Sequence, residues 1–400
     1  MDHDNSAAKG FGMHSMEQKE KNLVVTSLAH GFNHGITSLH SVAIPLLISH
    51  FVLTHSEAGL ISTLFYLAYS LISLPAGKYS TTFGRKNLIM FYLLGGFALT
   101  LVTGFSPTYF FLLFSQVIAG AMFGIYHPSG VVLIVNSYEK RRGKALGYHE
   151  VGGMGGALAA VFMGGIVAKL WGWRYLFYIF SIPGILIAFL CFFWAKEEDS
   201  AEEVSKGDKG EMNLRAVTAI ILCTGLQLMC VTGFRTWCPA LLMKKFGIGI
   251  MPASFLSALL PAASMVASPI FGHVSDRFGR EFVLHPVLMI FSLSLIGIAY
   301  ANSLGLMTVI LIITGTVYIA IVPIGNAYLS EAIPKSKSGY IFGIHNMVMF
   351  LMTTIAPVTV GVMADAFSFT SGLVLLACIS LLGTLILMFV PKRKMQLQSH

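Results

Sequence analysis

Long apolar runs separated by short polar stretches organise the whole chain. Twelve of these runs reach the roughly 18 residues that a helix needs to cross a bilayer core. We number them spans 1 to 12, and they lie at 23–49, 57–76, 87–104, 108–136, 145–169, 174–195, 214–242, 252–271, 283–301, 304–329, 340–364 and 369–390. The pattern predicts an all-α membrane protein with twelve transmembrane helices.

The composition agrees with this prediction. Hydrophobic residues make up 55% of the chain and charged residues 11%, a balance that no water-facing globule of this length needs. We therefore expect the lipid bilayer to surround the spans. The polar stretch 1–22 precedes a span that is too long for a signal-peptide core, so we expect no cleavage.

The basic residues predict the orientation, because Lys and Arg stay on the cytoplasmic side of short loops. With both termini in the cytoplasm, 21 of the 26 Lys and Arg residues fall on that side. The net charge of +8 is then a result of topology, and a nucleic-acid partner is not needed. We expect a multi-pass protein of a prokaryotic inner membrane, acting as a monomer.

The sequence contains an internal repeat, so its two halves resemble each other. Gly147 and His149 match Gly343 and His345 at an offset of 196 residues. Such an offset predicts two pseudo-symmetric six-helix bundles, as in transporters built from repeats. The expected organisation is an N-terminal tail, a first bundle, a linker, a second bundle and a C-terminal tail, at 1–22, 23–195, 196–213, 214–390 and 391–400.

A glycine and arginine frame occurs at the same place in both halves, as "GKYSTTFGR" and "GHVSDRFGR". It resembles the loop motif GxxxDRxGR of the major facilitator superfamily, and the resemblance covers residues 23 to 390. The residues that match this gating motif are Gly77, Gly84, Arg85, Gly272, Asp276, Arg277, Gly279 and Arg280. By resemblance, Asp276 would hold the N-terminus of span 5 while the protein faces outward, with Arg277 and Arg280 bracing the loop. Thr81 stands where the first copy lacks the acid, which predicts a weaker latch there.

Three further stretches, "YHPSG", "RGKALGYHEVGGMGGALA" and "GWRYLFYIFSIPG", resemble the fosmidomycin-resistance-type branch of drug exporters. The chain departs from the pattern at two positions. His34 replaces the acid that follows the histidine of span 1, and Gln116 stands where exporters often have an arginine. The glycines of span 5 predict close packing against another helix.

Ionisable groups inside a membrane are costly and therefore suggest function. Here histidines supply most of them, and a histidine can bind and release a proton near neutral pH. The candidate substrate- or proton-binding residues are His30, Asn33, His34, Gln116, His127, His149, Glu150, Arg235, Tyr318, Asn326 and His345. The alternative is that the histidines are neutral and hold helices together, and that Arg235 extends to the outer surface.

The sequence predicts a secondary transporter with a central cavity lined by spans 1, 4, 7 and 10, with no cofactor and no bound metal. The leading mechanism is proton-coupled export of a small organic compound, anionic or amphipathic. Uptake or uniport of a small anionic metabolite, a metal-related carrier that uses the histidines, and a non-transporting sensor stay open. An enzyme is not expected, because Gly153 stands where the zinc motif HExxH needs its second histidine.

Overall fold

The computed structural model describes residues 16–138, 142–197, 212–334 and 337–388. Residues 1–15 of the predicted N-terminal tail, most of the predicted linker and the whole predicted C-terminal tail lie outside these residues. Helix α1 begins within the predicted N-terminal tail, at Gln18. The described residues form thirteen helices, namely α1 Gln18–Phe51, α2 His55–Phe83, α3 Arg85–Gly104, α4 Tyr109–Gly124, α5 Tyr126–Ser137, α6 Arg142–Trp171, α7 Trp173–Trp194, α8 Leu214–Phe246, α9 Ile250–Phe278, α10 Arg280–Tyr300, α11 Leu304–Ala332, α12 Ser338–Ala366 and α13 Phe369–Met388.

The thirteen helices correspond to the twelve predicted spans, with α4 and α5 forming span 4 together. Eleven spans have the length and hydropathy of membrane-crossing helices within the described residues. The remaining one is α1, whose 34 residues are long enough to cross but whose buried side is rich in polar side chains. Helices α1–α7 and α8–α13 each surround a large cluster of buried apolar side chains, so the fold consists of two six-helix bundles.

Span 4 breaks between Gly124 and Tyr126 because of Pro128, which has no N–H to donate to the carbonyl four residues earlier. That carbonyl belongs to Gly124, and it accepts instead from the Ser73 hydroxyl at 3.1 Å. The preceding carbonyl, of Phe123, accepts from Asn33 Nδ2 at 2.9 Å. Side chains of α1 and α2 thus satisfy the broken backbone, as a bilayer requires.

The repeated glycine and arginine frame forms the same reversal in both bundles. Gly84 links α2 to α3 with φ of 81°, and Gly279 links α9 to α10 with φ of 93°. These values lie in the left-handed region that glycine adopts without steric cost. The second glycine of each copy therefore allows two long helices to reverse direction at a single residue.

The two bundles meet along a seam formed by α2 with α12 and by α6 with α9. We call the end of the molecule that carries the repeated loops the basic end, and the other the far end. At the far end the helices touch: Phe162 stacks on Phe255 with ring centroids 4.4 Å apart, and a Cβ at Gly59 would lie 2.7 Å from the Pro357 carbonyl oxygen.

Three glycines at the basic end of the seam face open space. A Cβ added at Gly147 of α6, Gly272 of α9 or Gly343 of α12 would meet no atom within 4 Å. At the far end of the seam, a Cβ at Gly361 would instead collide with the backbone of His55. We infer from this difference that the bundles enclose a cleft that opens towards the basic end.

Candidate functional site

Four histidines from three helices meet inside the first bundle. The rings of His30 and His149 stack with centroids 3.9 Å apart and 7° between their planes. The centroid of His30 also lies 4.4 Å from that of His34 and 5.0 Å from that of His127. We call His30, His34, His127 and His149 the histidine cluster. His30 and His149 are buried, whereas His34 and His127 are partly exposed.

Glycines bring α1 and α6 close enough for this cluster to form. Added side chains at Gly152 and Gly156 of α6 would overlap the backbone of Ser27 and Gly31 on α1. At Gly153, a Cβ would lie 2.7 Å from the ring of His30. The glycine stripe of span 5 therefore packs against span 1. Gly153, which stands where the motif HExxH has its second histidine, leaves room for the ring of His30.

Hydrogen bonds assign the tautomers of the two stacked histidines. His30 Nδ1 lies 3.0 Å from the carbonyl oxygen of His149, which only accepts, so Nδ1 carries the proton and Nε2 the lone pair. The Tyr126 hydroxyl donates to the carbonyl of Thr26 and lies 2.8 Å from His149 Nε2. His149 therefore donates through Nε2, and its lone pair is on Nδ1.

The two lone pairs left by this assignment, on His30 Nε2 and His149 Nδ1, have no hydrogen-bond partner among the described residues. His34 Nδ1 is likewise a buried atom without a described partner. His149 Nδ1 lies 3.8 Å from a carboxylate oxygen of Glu150, whose side chain is 35% exposed. Glu150 thus connects the cluster to a partly exposed position on α6.

A cavity lies between the bundles, one helical turn beyond His34 on α1. Arg235 Nη2 donates to the Ser38 hydroxyl at 3.1 Å across the seam. Residues from α1, α2, α6, α8, α9 and α11 line the cavity, namely Thr37, Ser38, Ser41, Tyr66, Ala157, Val161, Arg235, Thr236, Cys238, Ser257, Leu260, Pro261 and Tyr318. Spans 1, 7 and 10 contribute as expected. The expectation for span 4 was wrong for these lining residues, and spans 2, 5 and 8 contribute instead.

Two predicted site residues lie within the first bundle, away from this cavity. Asn33 binds the Phe123 carbonyl. Gln116 Oε1 accepts from His40 Nε2 at 2.8 Å, and Gln116 Nε2 donates to the Thr103 hydroxyl at 3.2 Å. Both are almost fully buried, so in this structure they join helices of one bundle.

The predicted candidates of the second bundle do not form a matching cluster. Tyr318 lines the cavity, with its hydroxyl 4.0 Å from Met154 Sδ. Asn326 is partly exposed, with Oδ1 unpartnered among the described residues. His345 is fully buried, and its closest described ring contact is Phe342, 6.3 Å away. The repeat that relates His345 to His149 therefore does not extend to their surroundings.

The gating residues differ between the two copies. Gly77 packs near Pro128, and Arg85 is buried, while the side chain of Thr81 lies outside the described residues. In the second copy, Arg280 pairs with Asp276 and Glu331 and donates to Ser275 at 2.7 Å. Arg277 lies over the Phe278 ring. Asp276 is 65% exposed and is held by its own loop.

A carboxylate that was not among the predicted site residues joins the bundles at the far end. Asp365 of α12 accepts from the backbone N–H groups of His55 and Ser56, at 2.9 and 2.7 Å, at the N-terminus of α2. Its Oδ1 is also 2.6 Å from His55 Nδ1. The sequence shows that Asp365 is an acid at the end of a span. It does not show that this acid faces the N-terminus of α2.

Two groups of side chains have the donor atoms for a metal ion. The ring nitrogens of His30, His34 and His127 lie within 4.8 Å of one another, as do ligand atoms of His30, His149 and Glu150. The first group brings no negative charge to offset a divalent ion within a membrane. In the second group, hydrogen bonds already use one nitrogen of each ring. The cluster is therefore better suited to protons and hydrogen-bond donors.

Comparisons with known proteins agree with this architecture. The family model described as Major Facilitator Superfamily matches residues 26–220 and 220–399. The multidrug resistance protein MdtG of Proteus mirabilis is 25% identical over 290 residues, which cover 68% of this chain and 71% of that protein. The uncharacterized MFS-type transporter YuxJ of Bacillus subtilis is 23% identical over 347 residues, 84% of this chain and 88% of that protein.

A solved structure has the same fold at low sequence identity. It is a bacterial homologue of the human lysosomal transporter Spinster, in an inward-facing and occupied conformation. The TM-score is 0.82 at 16% identity, over 94% of this chain and 97% of that one.

Proposed function

The chain belongs to the major facilitator superfamily and is a multi-pass membrane transporter, and we propose that it exports a small organic compound in exchange for protons. Its basic end lies in the cytoplasm of a prokaryotic cell in this proposal, so the open cleft faces inward. The observation that carries the proposal is the histidine cluster, which offers unpartnered lone pairs next to a cavity between the bundles.

Competition for these lone pairs links the compound to the proton. A neutral imidazole nitrogen accepts a hydrogen bond from a hydroxyl, amide or amine of the compound, whereas a protonated nitrogen does not. His34 and His127 are the partly exposed members of the cluster, so they meet the compound and the proton first. Because one occupant excludes the other, each reorientation carries either protons inward or the compound outward.

Glu150 gives the cluster an exit to the cleft. Its carboxylate lies 3.8 Å from His149 Nδ1 and is partly exposed, and a carboxylate beside an imidazole stabilises the imidazolium. A proton held by the cluster can therefore leave towards the cytoplasm through Glu150. The relatives named multidrug resistance protein support export as the direction.

Uptake of a small anionic metabolite together with protons is a second candidate, and one observation favours it. Arg235 is a cation with no carboxylate within 4.0 Å among the described residues. A proton on His34, one turn away on the same side of α1, would add to the positive charge and favour an anion. In that case compound and proton would bind together.

Proteoliposomes with an internal pH dye test the main proposal. We expect proton flux on addition of a transported compound, and at least about a tenfold loss of it in His34→Ala and His127→Ala, since proton transfer by a positioned group contributes at least about this much. His285→Ala is the matched control, because His285 lies on α10, outside the cluster, and its hydrogen bond among the described residues goes to the backbone of its own helix. Coupled flux that survives in both cluster variants would contradict the proposal.

The effect of pH on affinity separates the two candidates. Competition for the histidine lone pairs predicts weaker compound binding as the pH falls, whereas joint binding predicts stronger binding. Adding Zn²⁺ in place of the organic compound tests the metal-related carrier, which requires zinc flux that depends on the same histidines.

A further inference from the structure

The central cavity contains one fixed positive charge. Arg235 is the cationic side chain among the lining residues, and its described hydrogen bond goes to the neutral hydroxyl of Ser38. A guanidinium has five N–H donors, so one bond to a hydroxyl leaves most of them for a ligand. A cation within a membrane is strongly unfavourable without a counter-charge, and the cavity supplies none from its own lining.

The cavity has both polar and apolar lining residues. Hydroxyl groups are supplied by α1, α2, α8 and α9, namely those of Thr37, Ser38, Ser41, Tyr66, Thr236 and Ser257. Val161, Leu260 and Pro261 form apolar parts of the lining on α6 and α9. A compound that contacts both kinds of lining needs a charged head and a short apolar body.

We propose that the cavity binds small amphipathic monoanions, whose anionic group forms charge-assisted hydrogen bonds with Arg235. The inference rests on the transport function proposed above and names the class of its compound. A carboxylate fits because a guanidinium binds it through two parallel N–H donors. The Ser38 hydroxyl, which accepts from Arg235, can donate its own O–H to the anionic head.

The histidine cluster adds a second point of recognition. Ser38 and His34 are four residues apart on α1, so their Cβ atoms lie about 5–6 Å apart on one side of the helix. The His34 ring is partly exposed, so a hydroxyl at about this distance from the anionic head would form a hydrogen bond with it. The preferred compound is thus an anion with a hydrogen-bond donor four or five bonds away.

Binding of simple probes to the full chain in lipid nanodiscs tests the site by titration calorimetry. Hexanoate, hexanamide and hexylamine share one apolar body and differ in charge. We expect hexanoate to bind at least about tenfold more tightly than hexanamide, since hydrogen bonds to a charged group are stronger than neutral ones. Arg235→Gln should abolish that preference, and Arg235→Lys should keep part of it.

Lys244→Gln is the matched control. It removes one positive charge from the same helix at an exposed position outside the cavity, so the preference for hexanoate should persist. Equal affinity for hexanoate and hexanamide in the unmodified protein, or a preference retained in Arg235→Gln, would overturn the proposal. If His34 is a second point of recognition, 5-hydroxyhexanoate should bind more tightly than hexanoate, and His34→Ala should abolish this difference.

The outcomes keep this inference apart from the proposed function. Carboxylate-selective binding with no coupled proton flux would refute proton exchange and leave the anion site standing. Coupled proton flux driven equally by hexanoate, hexanamide and hexylamine would support proton coupling and refute the anion site.

Discussion

At the far end of the seam, Asp365 binds the N-terminus of a helix in the other bundle; at the basic end, Asp276 pairs with Arg280 of its own loop. Both acids end a long helix at the seam. An acid in this position is attracted by the positive end of a helix dipole and by its free N–H groups. The far end uses that attraction and the basic end does not.

This difference indicates how the molecule alternates. If the bundles rock about the central cavity, closing the basic end requires Asp276 to exchange Arg280 for the N-terminus of α6, the contact that the resemblance predicts. Opening the far end requires Asp365 to release α2. The two acids would then stabilise opposite conformations, and each should be testable by a change that leaves the other intact.

The largest effect is expected from blocking the far end sterically. A side chain at Gly361 would collide with the backbone of His55, and overpacking costs about 1–3 kcal/mol. Gly361→Leu should therefore shift the population away from this conformation by about tenfold to a hundredfold and abolish transport. Spin-label distances between the far ends of α2 and α12, with the exposed Cys378 replaced by serine, measure the shift.

Gly343→Leu is its counterpart on the same helix. Gly343 faces open space at the basic end, so the larger residue should leave this conformation intact and oppose closure of the basic end. A shift of the same sign in both variants would contradict rocking of the bundles about the cavity.

A smaller effect is expected from Asp365→Asn. The substitution removes the charge that faces the helix N-terminus and His55, and such a partly exposed interaction is worth about 1 kcal/mol. The far end should open about fivefold more often by the same spin-label measurement. Glu57→Gln, at the same end but bonded to Thr54 of its own cap, should have no such effect, and an equal opening in both would show that the contact across the seam is unimportant.

The smallest effect is expected from Asp276→Asn. Because Asp276 is exposed and bound to its own loop, its loss should leave the present conformation unchanged and weaken only the alternative one, by about twofold. Spin labels at the basic ends of α6 and α9 should report a slightly larger open population. Opening of the far end in this variant would contradict the assignment of opposite roles.

The sequence predicted the fold well because apolar run length is a local property. Each predicted span has its helix, and the repeated glycines lie where the chain reverses with positive φ. The break in span 4 also has a local cause, since Pro128 lacks an N–H.

The site was less predictable because it depends on which sides of different helices meet. His30, His34, His127 and His149 were each identified, but their contact depends on the glycines that bring α1 to α6. Gln116 lies with His40 within one bundle, a placement that the sequence of span 4 does not encode. Tyr126 was missed because an aromatic residue in an apolar run carries no signal of the histidine that its hydroxyl contacts.

The stacked rings of His30 and His149 limit how many charges the first bundle can hold. Their centroids are 3.9 Å apart, and two unit charges at about 4 Å repel by about 4 kcal/mol even at an effective dielectric constant of 20. Simultaneous protonation of His30 and His149 is therefore strongly disfavoured, which favours a stoichiometry of one proton per cycle for this pair. Under the proposed exchange and at zero membrane potential, one pH unit across the membrane could then sustain about a tenfold concentration ratio of the exported anion, because both correspond to about 1.4 kcal/mol.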